Sequence, residues 1–379
     1  MVKQKSSEPK IVTYLHNKAG KLGLPVGATF EITSRCNFNC PMCYVHECGK
    51  NADLRKKELT ASQWIDIARQ ARDKGTIFAL LTGGEPFLRD DFFEIYSAMK
   101  KMGFYISINS NGSLIEGEIR KKLLEDPPFR INISLYGGCA ETYKNMCGVS
   151  MYDKVIENIK ALKEAGVDVS LNVSITPYNK QDTEKIFRDA EEMGVNAKAV
   201  SYMYPPIRIN GEKFGENARL TAKEAAEYTV KWDLLRFSDD EFEMRAKNLR
   251  EFSLVERDEC LGDVSEGVRC RAGKSSMWFT WDGKMYPCGM MPNPVAYPLE
   301  VGVEKAWEYI NTEVKKIRLP SECVSCPKKN ACFACAAVCY TETGAFNRVP
   351  KYVCEQIDET ISQMWDAYLA KSEKGIAEK

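Results

Sequence analysis

The sequence predicts an α/β chain: a partial (β/α)6 TIM-like barrel followed by a cysteine-rich C-terminal domain. Three observations carry this expectation. Between about residues 27 and 235, short β-branched runs alternate with amphipathic helical stretches, the pattern of parallel strands joined by helices. Cys36, Cys40 and Cys43 form a CxxxCxxC triplet directly after the first strand candidate. Nine more of the fifteen cysteines crowd between Cys260 and Cys354.

The strand candidates are residues 28–33, 76–82, 104–110, 130–135, 167–175 and 197–203. The helices between them carry their own end signals. Thr60 and Gln63 form a capping box, and Trp64, Ile67, Ala68 and Ala71 follow at helical spacing before Gly75. Asp90 or Asp91 starts a second helix ending near Gly103. A third spans 153–165, with Val155, Ile156, Ile159 and Leu162 on one face and Gly166 as its stop. Six βα units make a partial barrel, and such folds place chemistry at the carboxyl ends of the strands, where the triplet sits. Residues 1–26 read as an N-terminal extension, 27–235 as the barrel and 236–257 as a charged helical linker. Residues 258–355 read as the cysteine-rich domain, and 356–379 as an exposed helix with a tail frayed from Lys371.

Composition narrows the function classes. The 379 residues hold 53 basic and 53 acidic side chains, so no one-signed field draws the chain to nucleic acid or to an anionic membrane. The polar start lacks a signal-peptide core, and no stretch approaches the roughly 18 apolar residues of a membrane span, so a cytoplasmic location is expected. Reducing conditions there disfavour disulfides, which leaves metal as the use of fifteen cysteines. Only His16 and His46 exist, so sites built on imidazole are nearly excluded.

Three thiolates on one loop can hold three irons of a [4Fe-4S] cube, and no fourth cysteine at close spacing claims the last iron. An open coordination position suits chemistry rather than scaffolding. The alternatives are a redox CxxC or a zinc site completed by Cys48. One βα unit later, strand two ends in Gly83-Gly84-Glu85-Pro86. Glycines there allow close backbone approach to a ligand, and Glu85 offers a carboxylate to an ammonium group.

Together these motifs resemble the radical S-adenosylmethionine (SAM) superfamily over roughly residues 27–210. The resemblance implies that the open iron chelates the amino acid end of SAM and that the cluster's electron cleaves SAM to a 5′-deoxyadenosyl radical. It implies that the Gly-Gly-Glu-Pro turn holds the SAM amino group. Met42 takes the place beside the adenine, where the family more often has an aromatic. Asn111, Ser134 and Asn172, at the ends of strands three to five, would line the ribose and carboxylate. Asn111 is equally a turn residue before Gly112, and Asn172 a satisfied strand amide.

The later cysteines run Cys260, Cys270, Cys288, then Cys323-x2-Cys326-x5-Cys332-x2-Cys335-x3-Cys339, then Cys354, with Gly283 opening a GxxxxC around Cys288. This resembles the SPASM extension of radical SAM enzymes and implies two auxiliary [4Fe-4S] clusters, three in all. One would take Cys260, Cys270, Cys288 and Cys335, with Cys339 in reserve because the commonest family spacing falls on Ala336. The other would take Cys323, Cys326, Cys332 and Cys354. A double zinc ribbon is the alternative for these positions. Gly289 stands where sulfatase-maturing relatives carry an aspartate base.

The expected function is hydrogen abstraction from a peptide or protein residue, leading to crosslinking, oxidation or epimerisation. An electron donor such as flavodoxin or ferredoxin would serve it. The alternatives are a dehydrogenase or epimerase of a sugar or other small molecule, and an iron–sulfur electron-transfer protein. Cys139 and Cys147 flank the loop after strand four, near the expected cavity mouth, and are candidate hydrogen-atom donors. Tyr202, Tyr204 and Arg208 follow strand six and are candidate cavity residues. The stretch before strand one is too short for a leader-recognition domain, so peptide recognition is expected to use the barrel, the cysteine-rich domain or a separate protein.

Overall fold

The structure, a computed structural model, describes residues 10–44, 52–205, 218–252 and 267–377. Its strands are β1 (Gly27–Thr33), β2 (Phe78–Gly83), β3 (Tyr105–Ser110), β4 (Arg130–Ser134), β5 (Val169–Ser174), β6 (Asn196–Val200), β7 (Ser276–Phe279) and β8 (Met285–Tyr286). They form one sheet in the order β6-β5-β4-β3-β2-β1-β7-β8. Neighbours from β6 to β7 run parallel, and β8 returns antiparallel to β7. The six expected strands are all present as a partial barrel. The sequence had not signalled β7, a four-residue run inside the cysteine-rich region that pairs with β1 from Gly27 opposite Ser276 to Phe30 opposite Phe279.

The helices are α1 (Lys10–Leu22), α2 (Ala52–Lys57), α3 (Ala61–Asp73), α4 (Phe92–Lys101), α5 (Gly117–Glu125), α6 (Ala140–Cys147), α7 (Tyr152–Glu164) and α8 (Thr183–Glu192). After them come α9 (Ala222–Arg236), α10 (Asp239–Arg250), α11 (Pro298–Val301), α12 (Val303–Val314), α13 (Ser321–Ser325), α14 (Ala336–Thr343) and α15 (Lys351–Ala377). The capping box at Thr60 is formed, Thr60 and Gln63 each satisfying the other's backbone N–H. Asp91 does precede α4 but makes no side-chain cap, because both its carboxylate oxygens accept from Arg89 at 2.8 and 2.7 Å.

Strand β1 is buried along its whole length, as a central parallel strand requires. Phe30 lies at its centre, edge-on to Trp64 and Phe104 and stacked on Phe279 of β7 at 5.1 Å. His16 of α1 is buried as well, stacked on Phe78 and 3.1 Å from the Ser275 hydroxyl. It is therefore part of the packing under the N-terminal end of the sheet.

The C-terminal helix differs from its expectation. Instead of lying exposed, α15 buries Ile357, Ile361 and Met364 in a second small core with Val230 of α9 and Phe242, Ala246 and Leu249 of α10. Both triples follow i, i+4, i+7, one helical face, and the dense charge on the other faces hid them. The helix also continues to Ala377, past the position where fraying was expected. Among the described residues, no helix is long and apolar enough to cross a membrane.

Candidate active site

The chain leaves β1 into the cysteine loop under tight control. Arg35 makes two bonds to Glu58, at 2.9 and 3.0 Å, and the Thr33 hydroxyl donates to the same carboxylate. Arg89, almost wholly buried, donates to the carbonyls of Ile32 and Leu59 at 2.9 Å each. The exit of β1 is thus held by charged groups that would be costly to leave unpaired in the interior.

From the other side the loop rests on the two glycines of β2. A Cβ on Gly83 would lie 2.1 Å from the Thr33 carbonyl oxygen, and one on Gly84 would lie 2.2 Å from that of Arg35. The Gly84 and Glu85 N–H groups donate to those two oxygens at 2.8 Å. Both glycines line the cavity, but the approach that requires glycine is that of the cysteine loop's own backbone. Glu85 is fully buried and accepts from the Asn111 N–H at 2.7 Å, the Ser110 hydroxyl at 2.9 Å and the Phe87 N–H at 3.2 Å. Burial pushes its carboxyl up to about 7 in spite of these donors. It ties the end of β3 to that of β2 and is not among the cavity-lining residues.

Cys36, Cys40 and Cys43 all line a cavity of ≈ 770 Å³ at the carboxyl ends of the strands. The Phe38 N–H points at the Cys36 sulfur at 3.4 Å, and the Asn111 side-chain amide lies 3.9 Å from it. Burial pushes the Cys36 thiol upward, and the neighbouring Cys147 and then burial push up that of Cys40, so a metal would have to displace their protons. Met42, Asn111, Ser134 and Asn172 share the same wall. Asn111 is a turn residue, its side-chain carbonyl accepting from the Ser113 N–H at 2.9 Å, and its amide group reaches Asn37 at 2.8 Å. Tyr202, Tyr204, Asp233, Arg245 and Gln356 line the same cavity. Cys48, His46, Arg208 and Cys260 lie outside the described residues.

The two candidate hydrogen donors are not at the cavity. Cys139 is exposed at the N-cap of α6 with its sulfur 3.3 Å from the Thr142 hydroxyl. Cys147, at the other end of α6, is fully buried behind the loop, its carbonyl accepting from the Asn39 N–H at 2.9 Å. An eight-residue helix separates them and carries both away from the cavity wall.

The later cysteines form two overlapping electrostatic groups. Cys335, Cys288 and Cys270 are near enough to Tyr204 to push its hydroxyl up after burial does, and Cys332 acts on Cys335 as well. Cys323 lies close to Cys354, Cys332 and Cys326, and its thiol is pushed up to about 11, mainly by burial. Cys335 stands at the N-cap of α14 without a side-chain cap bond, and burial pushes its thiol up to about 11. Cys339 is buried one turn later, nearer to Cys323 than to Cys270 in its electrostatic surroundings. Among the described residues, no three His, Cys, Asp or Glu side chains converge at the spacing of a single metal ion. A cubane spreads its thiolates over separate irons, so these groups suit cluster ligation, as do the Met290 and Ala334 N–H groups that point at the Cys288 and Cys332 sulfurs at 3.5 and 3.4 Å.

Sequence reasoning missed Glu58, Arg89 and Trp278. A Cβ on Gly289 would lie 2.7 Å from the Trp278 indole, which is held by a 3.0 Å bond from its N–H to Glu31. The indole fills the space that any side chain after Cys288 would need. No local motif marks these three residues, because each acts on a segment far away in sequence.

The fold and site define a parallel half-barrel with a cysteine-lined cavity at its catalytic end. The radical SAM superfamily model matches residues 30–190. The AdoMet-dependent heme synthase of Methanosarcina barkeri is 25% identical over 337 residues, 84% of this chain and 93% of that protein. The probable GTP 3′,8-cyclase of Saccharolobus solfataricus is 30% identical over 263 residues, 68% of this chain and 80% of that protein. Among solved structures, Streptococcus suis SuiB bound to S-adenosylmethionine superposes with a TM-score of 0.65 at 18% identity, covering 92% of this chain and 84% of that one. Native anSMEcpe with bound AdoMet and the Cp18Cys peptide superposes at 0.67 with 16% identity, covering 92% and 99%. The chain belongs to the radical SAM superfamily. It is a radical SAM enzyme, and membership implies SAM and a [4Fe-4S] cluster.

Proposed function

We propose that this enzyme abstracts hydrogen from a residue of a peptide or protein and uses two auxiliary [4Fe-4S] clusters in a SPASM-type domain, residues 258–355. The observation that carries the reading is the cysteine grouping. Cys270, Cys288 and Cys335 act electrostatically on Tyr204, which lines the cavity, and Cys326, Cys332 and Cys354 act on Cys323, with Cys332 also felt by Cys335. Solved neighbours with bound peptides, SuiB with its precursor peptide SuiA and anSMEcpe with Cp18Cys, support the substrate class.

In this reading Cys36, Cys40 and Cys43 hold the first cluster, which with SAM supplies the 5′-deoxyadenosyl radical. Met42, Asn111, Ser134 and Asn172 border the SAM-binding part of the cavity, and the Gly83-Gly84 turn keeps the loop at the height where the cluster faces it. Tyr202 is fixed by a 2.7 Å bond to Glu342, which also pairs with Arg219 at 2.7 Å; the substrate side of the cavity is therefore pre-shaped. Cys260 would complete the cluster nearest Tyr204, with Cys335 as its fourth ligand. Because the Trp278 indole occupies the space beside Gly289, a base at that position is unavailable, which disfavours a sulfatase-type reaction.

The test is anaerobic incubation with SAM, reductant and candidate peptides, read by 5′-deoxyadenosine release and peptide mass. Peptide loss of hydrogen, or deuterium uptake without mass change in light water, supports the reading. Deoxyadenosine release that no peptide stimulates refutes the substrate class. A second reading, a small-molecule substrate, is favoured by the two sequence relatives, a heme synthase and a probable GTP cyclase. Stimulated SAM cleavage by a tetrapyrrole or a nucleotide in the same assay would establish it.

A further inference from the structure

The sequence places Asn111 among the SAM ligands, yet the structure spends its side chain on the cysteine loop. The turn that carries it is held at several points. The Ser110 hydroxyl donates to Glu85 and accepts from the Gly112 N–H, both at 2.9 Å, while the Asn111 N–H donates to Glu85 at 2.7 Å. The Asn158 amide holds the Gly112 carbonyl at 2.7 Å. Within this turn the Asn111 side-chain oxygen accepts from both the N–H and the hydroxyl of Ser113, at 2.9 and 2.7 Å. A backbone N–H can only donate, so this contact settles which end of the amide is which, and the NH2 group faces the cysteine loop. There it donates to the Asn37 oxygen at 2.8 Å and to the Cys36 sulfur at 3.9 Å. The Asn37 amide returns to the Ser113 hydroxyl at 2.9 Å, which closes a ring of three side chains between the loop and the turn after β3.

We infer that Asn111 is a positioning residue for the cluster rather than a ligand of SAM, its amide giving one hydrogen to Asn37, which fixes the loop, and the other to the Cys36 sulfur. The inference rests on the reading of Cys36 as a cluster ligand. Both lone pairs of the Asn111 oxygen and both amide hydrogens then have partners, so nothing is left for the ribose or carboxylate of SAM. A thiol bound to iron has lost its proton, so its sulfur can only accept. The Phe38 N–H, at 3.4 Å, is a second donor to the same sulfur. Hydrogen bonds to cluster sulfurs are one of the levers on reduction potential. N–H dipoles aimed at the ligand favour the reduced cluster, which carries one more negative charge, and so raise its potential. Asn111 and Ser113 are both buried, which keeps water from competing for these bonds.

The experiment compares wild type with three variants. Asn111→Leu keeps the branched shape and removes the donor; Asn111→Asp keeps an acceptor for Ser113 and replaces the amide by oxygen. Ser113→Ala opens the ring but leaves the backbone N–H of residue 113 on Asn111. The midpoint potential of the SAM-sensitive cluster is followed by EPR in an anaerobic redox titration, and SAM affinity by equilibrium dialysis. The expected result is a lower midpoint in both Asn111 variants, equivalent to a roughly two- to tenfold change in the reduced-to-oxidised ratio, tenfold being about 59 mV for one electron. Ser113→Ala should stay near the wild-type midpoint. The SAM dissociation constant of Asn111→Leu should stay within about threefold of wild type, where a lost hydrogen bond to SAM would weaken binding about tenfold. A wild-type midpoint in Asn111→Leu, an equal shift in Ser113→Ala, or a tenfold loss of SAM affinity overturns the inference. Should Asn111→Leu assemble no cluster, the midpoint of Asn111→Asp decides in its place. Should neither hold iron, a loaded Ser113→Ala upholds the amide's grip on the loop, and loss from all three assigns Asn111 to packing alone. If wild type itself gives no SAM-sensitive EPR signal, the ligand reading of Cys36 fails and the inference with it.

Discussion

Substituting Gly84 by Ala should uncouple the cysteine loop from β2. The new Cβ would lie 2.2 Å from the Arg35 oxygen, 2.5 Å from its carbon and 2.8 Å from the Ser34 oxygen. All three are backbone atoms, so no side chain can swing aside. Carbon contacts settle near 3.5 Å, which means the Arg35 peptide must retreat by roughly 1 Å. That breaks the 2.8 Å bond from the Glu85 N–H to Arg35 and strains the one from Gly84 to Thr33. A buried donor left unpaired costs about 1–3 kcal/mol, so the two together predict a loss of about 2–5 kcal/mol. Cys36 follows Arg35 and moves with it, and the first cluster should load poorly. Urea unfolding of the iron-free protein and iron and sulfide analysis after anaerobic reconstitution read the two effects. Gly75→Ala is the control, because Gly75 has φ 100° but nothing within 4 Å of a Cβ, so only backbone strain should register. If Gly84→Ala costs no more than Gly75→Ala and loads iron fully, the glycines do not act by admitting the loop.

Arg89→Met should cost about 3–5 kcal/mol, because it strips donors from the Ile32 and Leu59 carbonyls and leaves Glu58 with Arg35 and the Thr33 hydroxyl; an unchanged denaturation midpoint would refute this. The folded iron-free protein holds the Glu85 carboxyl at about 7 against an ordinary 4.5, so it prefers the protonated form. Stability from this group is present below the ordinary value and lost as pH rises through 7, by about 3 kcal/mol, and Glu85→Gln should flatten that part of the pH–stability curve. Iron loading should show the opposite sign. Thiols such as Cys36 and Cys323, pushed up by burial, stay protonated near neutrality, so each ligated cysteine releases a proton. Log affinity for the three-cysteine site should then rise by about three per pH unit, and a flat profile in a chelator competition would contradict it.

The legible parts of this protein were those whose signal is local. Six strands, the Thr60 capping box and the Gly166 helix stop are written in runs of a dozen residues or fewer, where period and end chemistry suffice. The cysteine triplet was legible for the same reason, its spacing alone placing three thiols on one loop. Strand β7 was not, because four residues inside a cysteine-rich stretch become a strand only once β1 offers its free edge. The buried face of α15 was masked by its charges, and its partner α10 lies more than a hundred residues away.

By itself the sequence determined the class of chemistry: three thiols after the first strand, a Gly-Gly turn one unit later and nine further cysteines in a chain with two histidines. The tertiary structure decided what each of these residues touches. It turned the Gly83-Gly84 pair into a seat for the cysteine loop, withdrew Glu85 into the interior, filled the space beside Gly289 with Trp278, and set Cys147 behind the cysteine loop, bonded to Asn39, instead of at the cavity. Contacts between residues far apart in the chain depend on how helices and strands pack, and packing is a property of shapes meeting in space that no spacing along one strand or loop can encode.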